Sequence, residues 1–435
     1  MRRRRSRSWR KEKKGHEFLS GFFVGFAFFV MVAAIILDIA IWKYGDTVES
    51  IYVLARNAVT ASFKKEEVKE KKEFSSTKVA AKLTMLNAYI EQYYLRENDV
   101  EAEEEAVYKA LLGALNDPYS VYYTKEEYEE MNERFEGSYV GIGVTAAYHK
   151  KTGKISIDEI TEGSGASEAG LKVGDIFSKI EGQSIDGMDL QTLASLLKGE
   201  EGSSILVSVI RKGEKEELDF EVERKEVSLQ TVEYKMLEEN IGYVLITGFS
   251  NTTPKQFNQA LQELLTKGAK GFVIDLRNNG GGSFSAAVDM LDRLLPKGLL
   301  VYTKTKDGEK KEYNATDKEV VEQPFTVLIN EKSASASEIF AGAIKDRKAG
   351  TIVGTTSFGK GIVQKIYPLD DGSAIKLTNS EYFTPNGNNI HGIGIEPDIK
   401  VEMDQSDQKE EQDLQLKKAI EIVKNSRQAL KYVRK

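Results

Sequence analysis

The chain contains no cysteine. That excludes disulfides, thiolate metal sites and cysteine nucleophiles, and it is compatible with either side of a bacterial membrane. Histidine is almost as scarce. His16, His149 and His391 are scattered, and no H-E-x-x-H pair occurs, which argues against a zinc protease. No metal site and no cofactor is expected. Positive charge is short everywhere except at the start. Residues 1–14 hold nine Lys/Arg and one Glu, a net +8, and with an overall charge of −7 this leaves −15 on the rest. So acidic a body argues against nucleic acid as a partner.

Charge is also missing from one long run. In residues 21–41 the only charged side chain is Asp38. As a helix this run is ~31 Å long, enough to cross a bilayer core. It exceeds the hydrophobic core of an ordinary signal peptide, and no small-x-small cleavage site precedes Trp42. An uncleaved anchor is therefore expected. The block Arg2-Arg3-Arg4-Arg5 stays in the cytoplasm by the positive-inside rule, so everything after Trp42 lies outside.

At 435 residues, two or three domains are expected. The composition divides the chain into a basic tail (1–17), an anchor (18–42), a juxtamembrane linker (43–74), a helical region (75–137), a β-rich region (138–224), an α/β region (225–405) and a helical tail (406–435). In the helical region Val79, Leu83, Leu86 and Ile90 recur at helical spacing, and Asn116-Asp117-Pro118-Tyr119 makes a turn. The β-rich region shows short strands at 141–147, 155–160, 176–180, 205–211 and 218–222, with one helix at 190–197. It resembles a PDZ domain. Gly141-Ile142-Gly143-Val144 matches a carboxylate-binding loop, and Ala169-Gly170-Leu171-Lys172-Val173-Gly174-Asp175-Ile176 follows as in that fold. Glycines let consecutive N–H groups converge on a terminal carboxylate, while the next strand pairs with the peptide and the 190–197 helix walls the groove.

From 225 on, strands (241–246, 271–276, 325–329, 351–353) alternate with helices (254–267, 285–295, 336–345), an α/β pattern. Residues 299–322 are polar and read as peripheral, and a last helix covers 414–433. Between strand 325–329 and the next helix stands Ser333-Ala334-Ser335-Ala336-Ser337-Glu338. A serine there is presented at the sheet edge, where helix-start N–H groups favour developing negative charge. Ser335-x-x-Glu338 is equally a capping box, and chemistry does not choose among the three serines. A serine nucleophile needs a base. Lys360, between Gly359 and Gly361, can serve if burial removes its proton, with Phe358 and Ile362 as apolar walls.

Together with Asp275-Leu276-Arg277-Asn278-Asn279, the glycines after it and Gly394-Ile395-Glu396-Pro397-Asp398, these segments resemble the carboxy-terminal processing peptidases, or tail-specific proteases, over residues 75–400. The resemblance implies a multi-domain fold: transmembrane helix, helical N-terminal region, β-rich PDZ domain, α/β serine-lysine protease core and C-terminal helix. It implies Ser335 as nucleophile, Lys360 as base and Gln364 as the third member. The backbone N–H groups of Gly281 and Ala336 become the oxyanion hole, and Gly141, Ile142, Gly143 and Val144 bind the substrate tail. Asp275 and Arg277 pin the glycine turn. The implied activity is cleavage of protein substrates near their C-termini, with protein tails and the membrane as partners and a homodimer as a possible assembly. If residues 360–364 were fully extended, Lys360 and Gln364 would be ~13 Å apart at Cα, so a bend or helical turn is required. The rival readings are a catalytically silent PDZ scaffold and a serine hydrolase assisted by His391.

Overall fold

The computed structural model describes residues 73–316, 321–403 and 413–433. The expected basic tail and anchor lie outside the described residues, as does the linker up to residue 72. Among the described residues no helix is long and apolar enough to cross a membrane. The chain divides into two units, one up to Val100 and one from Glu101 onward.

In the first unit, α1 (Ser76–Tyr93) starts where the Ser75 hydroxyl accepts the Lys78 N–H at 3.4 Å. Its apolar stripe, read from the helical spacing, has no buried residue. The second unit begins with α2 (Val100–Gly113), a turn through Asp117, the short strand β1 (Val121–Tyr123) and α3 (Lys125–Glu136). Thr124 and Glu127 form the capping box that starts α3. Region 75–137 is thus helical apart from β1.

β2 (Ser138–Gly141) leads into the β-rich module. Its elements are β3 (Val144–His149), β4 (Lys154–Ile160), α4 (Gly165–Ala169), β5 (Ile176–Ile180), β6 (Gln183–Ser184), α5 (Leu190–Leu197), β7 (Ser204–Ile210) and β8 (Leu218–Glu223). β9 (Lys225–Ser228) leads out, paired antiparallel to β2. The module sheet runs β3-β4-β5-β7-β8. Strand alternation builds its core: along β7, Ile205, Val207 and Val209 are buried, together with Ile142, Leu193 and Leu197.

The third part is the α/β core. β10 (Val232–Leu237) and β11 (Ile241–Ile246) are antiparallel. α6 (Thr253–Thr266), β12 (Phe272–Asp275) and α7 (Phe284–Leu294) follow. Next come β13 (Gly298–Thr305), β14 (Lys310–Ala315), β15 (Phe325–Ile329), α8 (Ala336–Asp346), β16 (Thr351–Gly354), β17 (Ile362–Pro368), β18 (Ala374–Phe383), β19 (Ile399–Lys400) and α9 (Leu414–Val433). The central sheet runs β10-β11-β12-β15-β16-β19 and is parallel from β11 onward. Both faces are covered, so β12 and β15 read as continuous apolar runs. Phe272 and Ile274 pack with α6, α7 and α8, while Val273 faces Leu416, Ala419 and Val423 of α9.

A second sheet runs β1-β18-β13-β14, with β17 on β18. This corrects the expectation that 299–322 is peripheral. A bulge between Leu299 and Val301 turns both Leu300 and Val301 into the core, and Ala315 joins them.

Candidate active site

Parallel pairing brings the C-terminal ends of β12, β15 and β16 side by side, the usual place for a site in an open α/β sheet. Each end carries one expected motif. After β12, buried Asn279 donates to the Ile246 carbonyl at 2.8 Å, and its own carbonyl accepts the Ala334 N–H at 3.0 Å and the Ser337 hydroxyl at 2.9 Å. The glycine turn is thereby stitched to the serine turn. Arg277 binds Asp275 and, at 2.8 Å, Asp413 just ahead of α9, which fixes the base of the same turn.

The three serines now separate. Ser333 is fully buried and donates to the Leu276 carbonyl at 2.8 Å; Ser337 is fully buried and bonded to Asn279. Ser335 alone is partly exposed, and it holds φ +56° and ψ −113°, a conformation that β-carbon sterics disfavour. The capping-box reading survives in part. Glu338 accepts the Ser335 N–H at 2.8 Å, while its own N–H bonds the Ser335 carbonyl at 2.8 Å.

Glu338 does more than cap. The same carboxylate oxygen accepts the Lys360 N–H at 2.8 Å, and the other accepts the Gly359 N–H and the Ser357 hydroxyl, both at 2.6 Å. Four donors meet one wholly buried carboxylate, which joins the serine turn to the lysine loop. The sequence signal, S-x-x-E, pointed only at the local bond, because the other donors lie about twenty residues onward.

Lys360 is partly buried, and its Nζ stands 4.5 Å from the centre of the Tyr119 ring. Burial first, and then the charge of Lys376, push its pKa below the ordinary lysine value, against the opposing pull of Asp117 and Glu338. The expected wall Phe358 is instead 57 % exposed; the aromatic face comes from Tyr119, in the Asp-Pro-Tyr-Ser turn. That turn is braced by Asp117, which accepts the Ser120 hydroxyl at 2.6 Å, and by Ser120, which accepts the Thr378 N–H at 3.0 Å.

The family profile described as Peptidase family S41 matches residues 240–401, and the profile described as PDZ domain matches 156–211. The carboxy-terminal processing protease CtpB of Bacillus subtilis is 38 % identical over 341 residues, 78 % of this chain and 70 % of that protein. CtpA of the same organism is 35 % identical over 328 residues, 74 % and 70 % of the two chains. This chain belongs to the S41 family of carboxy-terminal processing serine proteases. Among solved structures, the photosystem II D1 C-terminal processing protease is 29 % identical, covering 75 % of this chain and 87 % of that one, with a TM-score of 0.43.

Within the S41 protease, the other expected site residues are placed as follows. Gly281 lies against the serine: a β-carbon there would come within 2.6 Å of the Ala334 carbonyl oxygen and 2.9 Å of Ala336 N, at a φ of +98°. Its N–H, expected to be an open donor, is taken by the Asn279 side chain at 2.8 Å, because an Asn two residues back closes an Asx turn. Ala336 stands at the helix start, where its N–H has no intrahelical acceptor. Gln364 donates to Thr378 Oγ1 at 3.2 Å, and among the described residues no hydrogen bond links it to Lys360. The required bend is present as a bulge between Val363 and Gln364. His391 is exposed, and its Nδ1 accepts the Gly361 N–H at 3.4 Å.

In the PDZ domain a groove of about 240 Å³ lies between β3 and α5, lined by Ile142, Gly143, Val144, Leu190, Leu193 and Leu197. Gly143 holds φ +81°, where a β-carbon would strike Ser164. Among the described residues the Gly143 N–H has no acceptor, while Gly141 bridges to Lys198 beside the C-terminal end of α5.

Proposed function

We propose that Ser335 and Lys360 carry acyl-enzyme catalysis on protein tails delivered by the PDZ groove. The observation that carries this reading is the Glu338 carboxylate, which holds the Ser335 and Lys360 amides on one oxygen while Ser333 and Ser337 are sealed. Neutral Lys360 takes the Ser335 proton as Oγ attacks the scissile carbonyl carbon. The oxyanion is met by the Ala336 N–H and by the Gly281 N–H once it turns from Asn279. The C–N bond then breaks, the ammonium protonates the leaving amine, and water, deprotonated in turn by Lys360, hydrolyses the ester. Gln364 polarises this side of the site without adding charge. The terminal carboxylate of the substrate binds the N–H groups of the loop Gly141 to Val144, and its apolar last side chain enters the groove.

The +8 tail and the apolar run 21–41, charged only at Asp38, support a single-pass anchor, with the N-terminus cytoplasmic and the protease outside the cell membrane. The exposed apolar stripe of α1 is compatible with a homodimer. The catalytic reading is tested by labelling the full chain with a fluorophosphonate, which phosphonylates activated serines. Label on Ser335, lost in Ser335→Ala and in Lys360→Arg but kept in Ser333→Ala, is the expected result. Label on Ser333 or Ser337 in the intact enzyme would refute it.

A further inference from the structure

A second lysine faces the same corner as Lys360. Lys376 is on β18, two residues before Thr378, so both side chains leave the same face of the strand. Thr378 is the residue that holds Gln364 and, through its N–H, Ser120. Lys376 pairs in register with Val121, and its ammonium reaches diagonally to the next residue on that face, bonding the Tyr123 hydroxyl at 2.5 Å. The two ammonium groups therefore lie over two tyrosines of one segment, Lys360 at Tyr119 and Lys376 at Tyr123.

The charged groups around this corner are few. The Asp-Pro-Tyr-Ser turn offers Asp117, whose carboxylate is spent on Ser120 and the Tyr119 N–H. α8 offers Glu338, spent on four donors. α2 and α3 offer Lys109 and Glu127, which pair with each other at 2.9 Å in the cleft that Lys376 also lines. β17 offers the uncharged Gln364 and, opposite Lys376, Ile366. The 389–392 loop offers His391, which accepts the Gly361 N–H. Among the described residues no carboxylate pairs with Lys376, so its field is not cancelled locally.

We infer that Lys376 is a further residue of this reaction, acting through Lys360: a fixed second ammonium, held by Tyr123, that sets the pH at which the dyad works. Two like charges in a partly desolvated corner disfavour each other, and Lys360, whose burial already disfavours its charged form, is the one that yields its proton. After burial, the charge of Lys376 is the largest influence holding the Lys360 pKa down. The inference rests on the serine-lysine reading above.

The test is the pH dependence of Ser335 labelling by a fluorophosphonate in the full chain, which needs no known substrate. In the wild type the rate rises with pH as Lys360 loses its proton. Lys376→Gln is expected to move that rise upward by about one pH unit, a roughly tenfold slower reaction below it. Lys376→Arg keeps the charge and leaves the rise in place; Tyr123→Phe moves it less than Lys376→Gln. A Lys376→Gln enzyme slowed equally at every pH, or with the rise unmoved, overturns the inference and leaves the dyad standing. A Lys360→Arg control that still labels at the wild-type rate overturns the dyad reading itself.

Discussion

The PDZ groove and the turns around Ser335 are built on opposite plans. In the PDZ groove the lining is apolar and a polar group beside it, the Gly143 N–H, is left open. Around Ser335 and Lys360 nearly every polar group is committed: Asn279 bridges two turns, Glu338 takes four donors, and Ser333 and Ser337 are locked. The first plan suits recognition, because an open donor gains a bond only when the right terminus arrives. The second would suit the proposed catalysis, because a strained serine and a partly buried lysine stay in place only if their surroundings over-determine them.

The sharpest way to break the contrast is at the hub. Glu338→Gln replaces an acceptor-only carboxylate with an amide that offers its own N–H to donors, so at least one of the four bonds fails. Peptidase activity should fall by roughly 10³-fold or more, compared with a loss of about 10²–10³ for one missing oxyanion donor. Activity retained within tenfold would mean that the serine and lysine turns are held by something else. Gly281→Ala should follow. Its β-carbon meets the backbone around Ser335, and the position needs positive φ, so activity should drop by about 10²-fold while far-ultraviolet circular dichroism stays native. An active Gly281→Ala enzyme would remove that turn from the oxyanion site.

The open plan predicts a smaller and different effect. A peptide ending in an apolar residue with a free carboxylate should bind the full chain about tenfold more tightly than its C-terminal amide, measured with Ser335→Ala to prevent cleavage. Equal affinities would show that the loop Gly141 to Val144 does not read the terminus. The smallest effect concerns stability. Lys360 has a folded pKa below its unfolded one, so its burial penalises the folded chain fully below the folded pKa, and stability recovers as pH climbs between the two values. The penalty fades as pH rises through the unfolded pKa. Lys360→Met should abolish activity and yet raise the Tm modestly near neutral pH, with less gain above pH 10. A fall in Tm would mean that the lysine stabilises the fold.

Strongly patterned elements were legible in the sequence. β5, β11, β15, α5 and α9 match the bounds read from apolar runs and helical spacing, because their burial leaves a clear signature. β17 and β18 were not anticipated, and β13 and β14 were misjudged. Lys-Lys-Glu-Tyr-Asn-Ala in β14 and the mixed polar run of β18 form a sheet with a wet face, where alternation is blurred. The site divided in the same way. The motifs located all three turns, but burial chose Ser335 over its neighbours, and burial is not written in a run of small residues. Glu338 was visible as a cap and not as a hub, since its remaining donors arrive through the fold. Tyr119 was visible as a motif letter and not as the face over Lys360.

The pairing of β1 with β18 has a consequence in time. Val121 meets Lys376, so the Asp-Pro-Tyr-Ser turn reaches the lysine loop only after a partner strand made some 250 residues later is available. The PDZ module, by contrast, closes on itself through the β2–β9 ladder and is finished by Ser228. On a chain synthesised from its N-terminus, the PDZ module is complete long before the protease core. If Ser335 and Lys360 act as proposed, a nascent copy stays chemically inert until β18, the last strand of that sheet, has left the ribosome.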